Sequence, residues 1–369
     1  MKDLHIILND SDQKGEGEHK ILQYIKTNKL MNNTIIYGLD ADLIMLALVS
    51  QKTNLYLLRE RTEYNVENTD EEYIYLEIDT LKKYIIHSLD IKYKNRIDEN
   101  QIINDYIFLC FLFGNDFINH LPSIHLRYNG HEILIQTYCK LQNIYQGYFQ
   151  LIDLSLPNII HFPFFKEFIQ QLSLKENHFL KQKQLIRKKQ YTRLYNQYSN
   201  EFNELKQYCL TRELSLQNIH LFHESKNDEV DKYKDMIFNL PIFFYPEEEN
   251  ILKSTIYYSD TNIEDVCKDY IQSLLWTSHY CFKECIHWKW CSRYNKAPFL
   301  KDIFKYLLDN NNFTIKKDVH ALSNEEQLKY IFPQESHKLH SYKIHTKNPI
   351  LKIDPYLNRY LWECHIEYL

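Results

Sequence analysis

Within its first sixty residues the chain alternates between short apolar runs rich in β-branched side chains and stretches with a helical repeat. "LHIIL" at residues 4–8 predicts a strand. A turn carrying the acids and glycines of "KGEGE" follows, and Ile21, Leu22, Ile25 and Leu30 then fall on one helical face. "TIIY" at 34–37 reads as a buried strand turned by Gly38, 42–49 as an apolar helix, and "NLYLLRE" at 54–60 as a strand again. That order predicts an α/β unit with a mostly parallel sheet, because parallel strands need a crossover between them. In such a unit, ligands gather at the carboxyl ends of the strands.

The rest of the chain reads as mainly helical. A loop is expected at 61–72, helices at 78–88, 102–113, 133–148 and 162–172, and turns at 114–116 and 120–123. Residues 180–208 are sparse in apolar side chains and predict a long, exposed helix or arm. Its basic run "KQKQLIRKK" at 181–189 reads as a solvated face. Pro241 and Pro246 with the glutamates that follow mark a linker, and an aromatic-rich region at 257–304 contains a helical stretch at 266–286. Three parts follow: 1–172, an arm and linker at 173–250, and 251–369. The net charge of -5 does not exclude a nucleic-acid partner, since a local groove matters more than the sum. The start of the chain carries no signal-peptide pattern and no apolar run is long enough to span a bilayer, so an intracellular protein is expected.

Three acidic motifs fall at the ends of these elements: Glu16 and Glu18 in the glycine-marked turn, Asp40 and Asp42 in "GLDADL", and Asp116 in "FGNDF". Carboxylates brought to one place repel unless cations compensate, and hard oxygen donors suit Mg²⁺ or Mn²⁺. Two such ions about 4 Å apart clamp the attacking and leaving oxygens of a phosphodiester. The competing reading is local: a surface turn at Glu16 and Glu18, caps at Asp40 and Asp116, and a solvated Asp42. Cys281, Cys285, His287 and Cys291 have loosely zinc-like spacing, but Cys281 and Cys285 are four apart on an apolar helix, where buried thiols are common.

"GEGEHKI" at 15–21, "YGLDADLIML" at 37–46 and "FLCFLFGNDFINHLPS" at 108–123 together resemble the XRN family of 5'→3' exoribonucleases. So do "SLLWTSHYCFKECIHWKWCSRYNKAPFLKDI" at 273–303, "EEQLKYIFPQESHKL" at 325–339 and "LKIDPYLNRYLWECHI" at 351–366, in the same order. The resemblance implies a flap-endonuclease-like (PIN-like) parallel-sheet nuclease core followed by a mainly helical region. It implies hydrolysis of single-stranded 5'-monophosphorylated RNA, one nucleotide at a time, with a pair of Mg²⁺ or Mn²⁺ ions held by seven acids. Glu16, Glu18, Asp40, Asp42 and Asp116 match five of the acids. His120 and Pro122 match a neighbouring motif, and Trp362 matches the tryptophan of the pocket for the 5' nucleotide.

The sequence also departs from the family pattern. The glycine-rich start, the first two acids, the basic 5'-phosphate pocket and its stacking histidine have no counterpart here, and Lys14 stands where the family usually has proline. The resemblance therefore implies the later part of a nuclease core. The expectation is a split enzyme completed by an N-terminal nuclease polypeptide, with an inactive fragment or an RNA-binding or scaffold module as the alternative.

Overall fold

In the computed structural model the described residues are 5–28, 33–61, 71–197, 262–294, 296–311, 313–331, 349–352 and 365–368. Trp362, the Pro241–Pro246 linker and the arm beyond residue 197 lie outside them.

The α/β alternation is present. Helix α1 (Gly17–Asn28) leads to β1 (Thr34–Tyr37), α2 (Asp42–Val49) and β2 (Leu55–Glu60), with β1 and β2 parallel and Thr34 beside Leu55. Helix α2 is the crossover that this pairing requires. The sheet then departs from expectation. Strand β3 (Tyr73–Glu77) pairs antiparallel with β2, so among the described residues the sheet is three-stranded, mixed and ordered β1-β2-β3. An antiparallel neighbour needs no crossover, unlike the parallel β1–β2 pair. The alternation in "YIYLE" was the available signal for this strand.

The strand expected at 4–8 does not form over the described residues 5–8. Ile6, Ile7 and Leu8 are 77%, 55% and 83% exposed, and β1 is an edge strand with no described strand on its outer side. A strand without ladder partners gains nothing for its ordering entropy.

One face of the sheet is covered and the other is open. Ile36, Leu55 and Leu57 point into the core. Ile35, Tyr37, Tyr73 and Tyr75 on the opposite face stay exposed.

Helix α4 (Glu99–Phe111) packs on α2 and on the helix at 78–88, which themselves contact the sheet. Asp98 caps α4 by accepting the N–H groups of Asn100 and Gln101, and Ile102, Ile103, Ile107, Phe108, Leu109 and Phe111 are buried along it. Full burial of such side chains contributes about 1.5–3 kcal/mol each. Helices α3 (Ile78–Ser88), α5 (Gly130–Ile144) and α6 (Phe162–Ser173) complete this layer near the expected positions. The long helix α7 (Glu176–Gln197) forms, but it is not solvated throughout: Leu180 and Lys183 are 3% and 4% exposed.

The aromatic-rich segment supplies α8 (Ile263–Phe282), which packs on α2 and α4, and α9 (Leu300–Asp309), which packs on α6 and α8. A short helix α10 (Asn324–Ile331) follows, and β4 (Pro349–Lys352) pairs antiparallel with β5 (His365–Tyr368). Among the described residues no helix is long and apolar enough to cross a membrane.

Candidate active site

Each acidic motif sits where the backbone changes element. Gly15 takes φ +101°, and a Cβ there would stand 3.3 Å from the Trp288 ring. Glycine is required at that step because it alone adopts positive φ without steric cost. Gly17 has open space around it. The turn leads into α1, whose His19, Leu22 and Ile25 are buried, leaving Glu16 and Glu18 at its amino end.

Asp40 and Asp42 lie just past β1. Asp40 Oδ1 accepts the N–H of Asp42 at 3.1 Å and so ties the turn entering α2, but the N-cap position is Ala41, without a side-chain cap, so Asp40 is not the helix cap that the local reading expects. Asp116 sits in the loop after α4. There Asn115 Oδ1 accepts from the N–H groups of Phe117 and Ile118 at 2.9 and 3.0 Å, so Asn115 shapes the turn and Asp116 is exposed.

The three motifs act on one another. Burial raises the Glu16 carboxyl above its usual range, its hydrogen bond from Tyr280 opposes that, and the charges of Glu18, Asp116 and Asp42 raise it further. Asp42 is raised by burial, then by Asp40, Asp116 and Glu18. Segments far apart in sequence therefore place their charges within electrostatic reach of one another. Among the described residues, however, no three His, Cys, Asp or Glu side chains are gathered closely enough to hold a metal ion. The donor set is of the hard-oxygen type that suits Mg²⁺ or Mn²⁺, and its uncompensated repulsion fits a cation; ligation distances are not reached. The cysteines and His287 form no metal cluster either. Cys281 is buried on α8, Cys285 is half-buried and Cys291 is exposed, in keeping with the buried-thiol reading for Cys281.

An aromatic wall backs the acids. Tyr280 donates to Glu16 Oε2 at 3.3 Å, and its ring stacks on His19 at 3.6 Å and 13°. Burial and the nearby Lys26 push His19 down to about 4, so at neutral pH its 3.8 Å approach to Glu16 is not an ion pair. Trp276 stacks on Trp290 at 5.4 Å and 21°, and also meets Phe117, the neighbour of Asp116, at 5.1 Å. Lys14 Nζ lies 5.2 Å from the centre of the Trp288 ring and donates to the Val319 carbonyl. Only the tyrosine and tryptophan richness of 257–304 hinted at this wall in the sequence.

His120, placed by resemblance, lies on the loop that carries Asp116. Its Nε2 is buried without a hydrogen-bond partner.

The family model described as "XRN 5'-3' exonuclease N-terminus" matches residues 1–61. The one described as "Xrn1 helical domain" matches 96–240 and 245–348. The chain is 27% identical to 5'-3' exoribonuclease 1 of Homo sapiens over 368 residues, which cover 90% of this chain and 21% of the relative. It is 24% identical to 5'-3' exoribonuclease 1 of Schizosaccharomyces pombe, covering 96% and 34%, and 24% identical to 5'-3' exoribonuclease 2 of Arabidopsis thaliana, covering 82% and 40%. The chain thus spans 21% to 40% of the length of these curated relatives.

Proposed function

The chain belongs to the XRN 5'-3' exonuclease family, and we propose that it forms part of a metal-dependent 5'→3' exoribonuclease acting on single-stranded RNA with a 5' monophosphate. The observation that carries this reading is the mutual action of Glu16, Glu18, Asp40, Asp42 and Asp116, which come from three separate segments. The site would take Mg²⁺ or Mn²⁺ through Glu16, Glu18, Asp42 and Asp116, with Asp40 holding the turn. Ions bound there would activate a water and stabilise the leaving 3' oxygen.

The chain's own groups set the stage for that chemistry. Tyr280 orients Glu16, the neutral His19 ring buttresses Tyr280, and Phe117 against Trp276 fixes the loop bearing Asp116.

A second observation favours a partner polypeptide. Ile35, Tyr37 and Tyr75 are 56%, 57% and 64% exposed on the outer face of the sheet, and β1 is its edge. A strand added beside β1, with a helix over that face, would bury this surface and bring further acids to the same end of the sheet. An N-terminal nuclease polypeptide is the occupant we propose.

Thermal melts of the chain with and without millimolar Mn²⁺ test the shared site. Stabilisation is expected for the wild type, by about 2.7 kcal/mol at a hundredfold excess over Kd, and not for the Asp40→Asn/Asp42→Asn double variant. Equal responses would sink the metal site. Release of nucleoside monophosphates from 5'-monophosphorylated RNA, but not from 5'-hydroxyl RNA, by the chain co-expressed with such a partner tests the reaction. A folded complex without that preference would favour the non-catalytic RNA-binding or scaffold alternative.

A further inference from the structure

Aromatic rings lead away from the acids one after another. The loop that carries Asp116 closes on itself: Gly114 takes φ +86°, and a Cβ there would lie 2.7 Å from the backbone nitrogen of His120. Phe117, held in that loop, meets Trp276 of α8 at 5.1 Å and 57°. Trp276 is 7% exposed, and Trp290 stacks on it at 5.4 Å and 21°. The series begins beside Asp116 and ends on a half-buried indole.

The segment that carries Trp290 is pinned on both sides of it. Trp276 Nε1 donates to the His287 carbonyl at 2.8 Å. Asp269, 3% exposed on α8, accepts from the Ser292 hydroxyl at 2.6 Å and from the Arg293 N–H at 3.2 Å. Asn119 of the Asp116 loop donates to the Tyr294 carbonyl at 2.8 Å. Trp290 therefore keeps a fixed place relative to Asp116. A ring held in advance loses little freedom when a ligand stacks on it.

Trp290 is the ring of this wall with surface to spare. Among the described residues Trp276 is the only ring that it meets, and its indole N–H makes no hydrogen bond there and is not buried. The other rings are engaged. Tyr280 serves Glu16 and His19, while Trp288 has Lys14 over its ring and Tyr280 at its edge. The cations nearby are engaged as well. Lys14 donates to the Val319 carbonyl, Arg293 lies 3.7 Å from Asp269, and Lys289 acts on the Asp318 carboxylate. What the segment offers a ligand is a π-face with an indole edge that can donate. Every nucleobase has a π-face, and aromatic platforms of this kind hold single strands without reading their sequence.

We propose that Trp290 is the stacking platform for a base of the RNA strand whose phosphate is engaged at the acids. The choice of RNA as the ligand rests on the exoribonuclease reading above. Two ring-to-ring steps, of 5.1 and 5.4 Å, join Trp290 to the neighbour of Asp116, so a strand held at the acids reaches the platform. Stacking fixes the register of the strand and leaves its sequence free.

Binding of a 3'-fluorescein-labelled, 5'-monophosphorylated oligoadenylate to the full chain is measured in EDTA, beside an abasic oligoribonucleotide of the same length. Wild type prefers the oligoadenylate by about tenfold. Trp290→Ala loses that preference at an unchanged log–log salt slope, since no phosphate contact is removed. Trp290→Phe, which keeps a ring on Trp276, retains most of it. Tyr84→Ala, which removes an aromatic ring 72% exposed on α3, leaves the preference intact. A preference that survives Trp290→Ala, or a wild type that shows none, overturns the proposal.

A second readout does not depend on the alanine variant folding. Stacking on a base quenches indole emission, so wild-type tryptophan fluorescence falls on adding unlabelled oligoadenylate and not on adding the abasic strand. Trp290→Phe abolishes this quench. Equal responses to the two strands, or a quench that persists in Trp290→Phe, overturn the platform. Because the metal is absent, the Asp40→Asn/Asp42→Asn variant keeps its base preference in this assay. A failed metal melt with an intact Trp290 effect therefore removes the metal site alone, and the reverse outcome removes the platform alone.

Discussion

Asp105 lies inside α4, eleven residues before Asp116, and is 0% exposed. Its Oδ1 accepts the N–H groups of Leu151 and Ile152 at 3.0 and 2.9 Å and the Gln101 amide at 3.0 Å, and its Oδ2 accepts from Tyr138 at 2.8 Å. The carboxyl thereby pins the segment that bridges Ile152 to Ile160 onto the helix that ends at the Asp116 loop. Asp105→Ala leaves two buried N–H groups without an acceptor, at about 1–3 kcal/mol each, and opens a small void, so a loss of about 3–5 kcal/mol is expected. Asp105→Asn keeps an oxygen for both N–H groups and turns its amide toward Tyr138, whose hydroxyl can accept.

The Asn variant also isolates a titration. Burial raises Asp105 from 3.8 to about 7 against its hydrogen bonds. Between those values the folded chain holds a proton that the unfolded chain has released, so this group's contribution to stability is full below about pH 4 and lost as the pH climbs through 7. The shift corresponds to about 4 kcal/mol. Urea midpoints of wild type and Asp105→Asn at pH 5 and pH 8 read this directly: the variant gains on the wild type as pH rises, while every other titrating group cancels in the comparison. A difference between the two proteins that does not change with pH would refute the reasoning.

Gly114→Ala should destabilise by about 2–4 kcal/mol and abolish the Mn²⁺ response, because it forces positive φ on a residue with a Cβ and drives that Cβ into the His120 backbone; an unchanged melting temperature would contradict the closed loop. Acid should weaken the fold through His120, which faces Lys183, Arg187 and His125. Its folded value of about 4 lies below the unfolded 6.5, so stability is lost as pH falls through that window, by up to about 3 kcal/mol. His120→Gln should flatten this limb in urea titrations between pH 7 and 4, and an identical acid limb would exclude the assignment.

What the sequence made legible followed local rules. The apolar run at 42–49 and the β-branched run at 34–37 form α2 and β1 at the expected residues, the helix because it is locally favoured and buried, the strand because it pairs with β2; of the strand expected to be buried, only Ile36 is. The run at 4–8 has equal local propensity, but propensity does not supply a ladder partner, and Ile6–Leu8 stay in solvent. The acids were recognisable as residue types at element ends; their convergence is tertiary and no spacing encodes it. The basic run at 181–189 was misread for a similar reason. Exposed Lys181, Lys188 and Lys189 are its solvated face, while Lys183 and Arg187, four residues apart, share the inward side. A lysine is buried only where an acceptor awaits it, and the Pro122 carbonyl lies sixty-one positions away.

The same logic explains why the helical region belongs to the acid site and is not an appendage to it. Gln23 and Lys26 on α1 donate to the carbonyls of Lys283, Cys281 and Phe282 at the end of α8, where a cation also meets the negative end of the helix dipole. Asn119, just past Asp116, donates to the Tyr294 carbonyl, and Lys14 to that of Val319. Tyr280 holds Glu16 itself. Two of the three acidic motifs are therefore positioned by contacts to residues 276–319, more than 150 positions away in sequence, and only Asp40 and Asp42 are set by the sheet. A sheet fragment on its own would retain β1 and α2 but lose the wall against which α1 and the Asp116 loop rest, so the carboxylates would separate and relieve the repulsion that now raises Glu16 and Asp42. Keeping such charges together costs free energy, and the described contacts between α1, the Asp116 loop and α8 are what supply it.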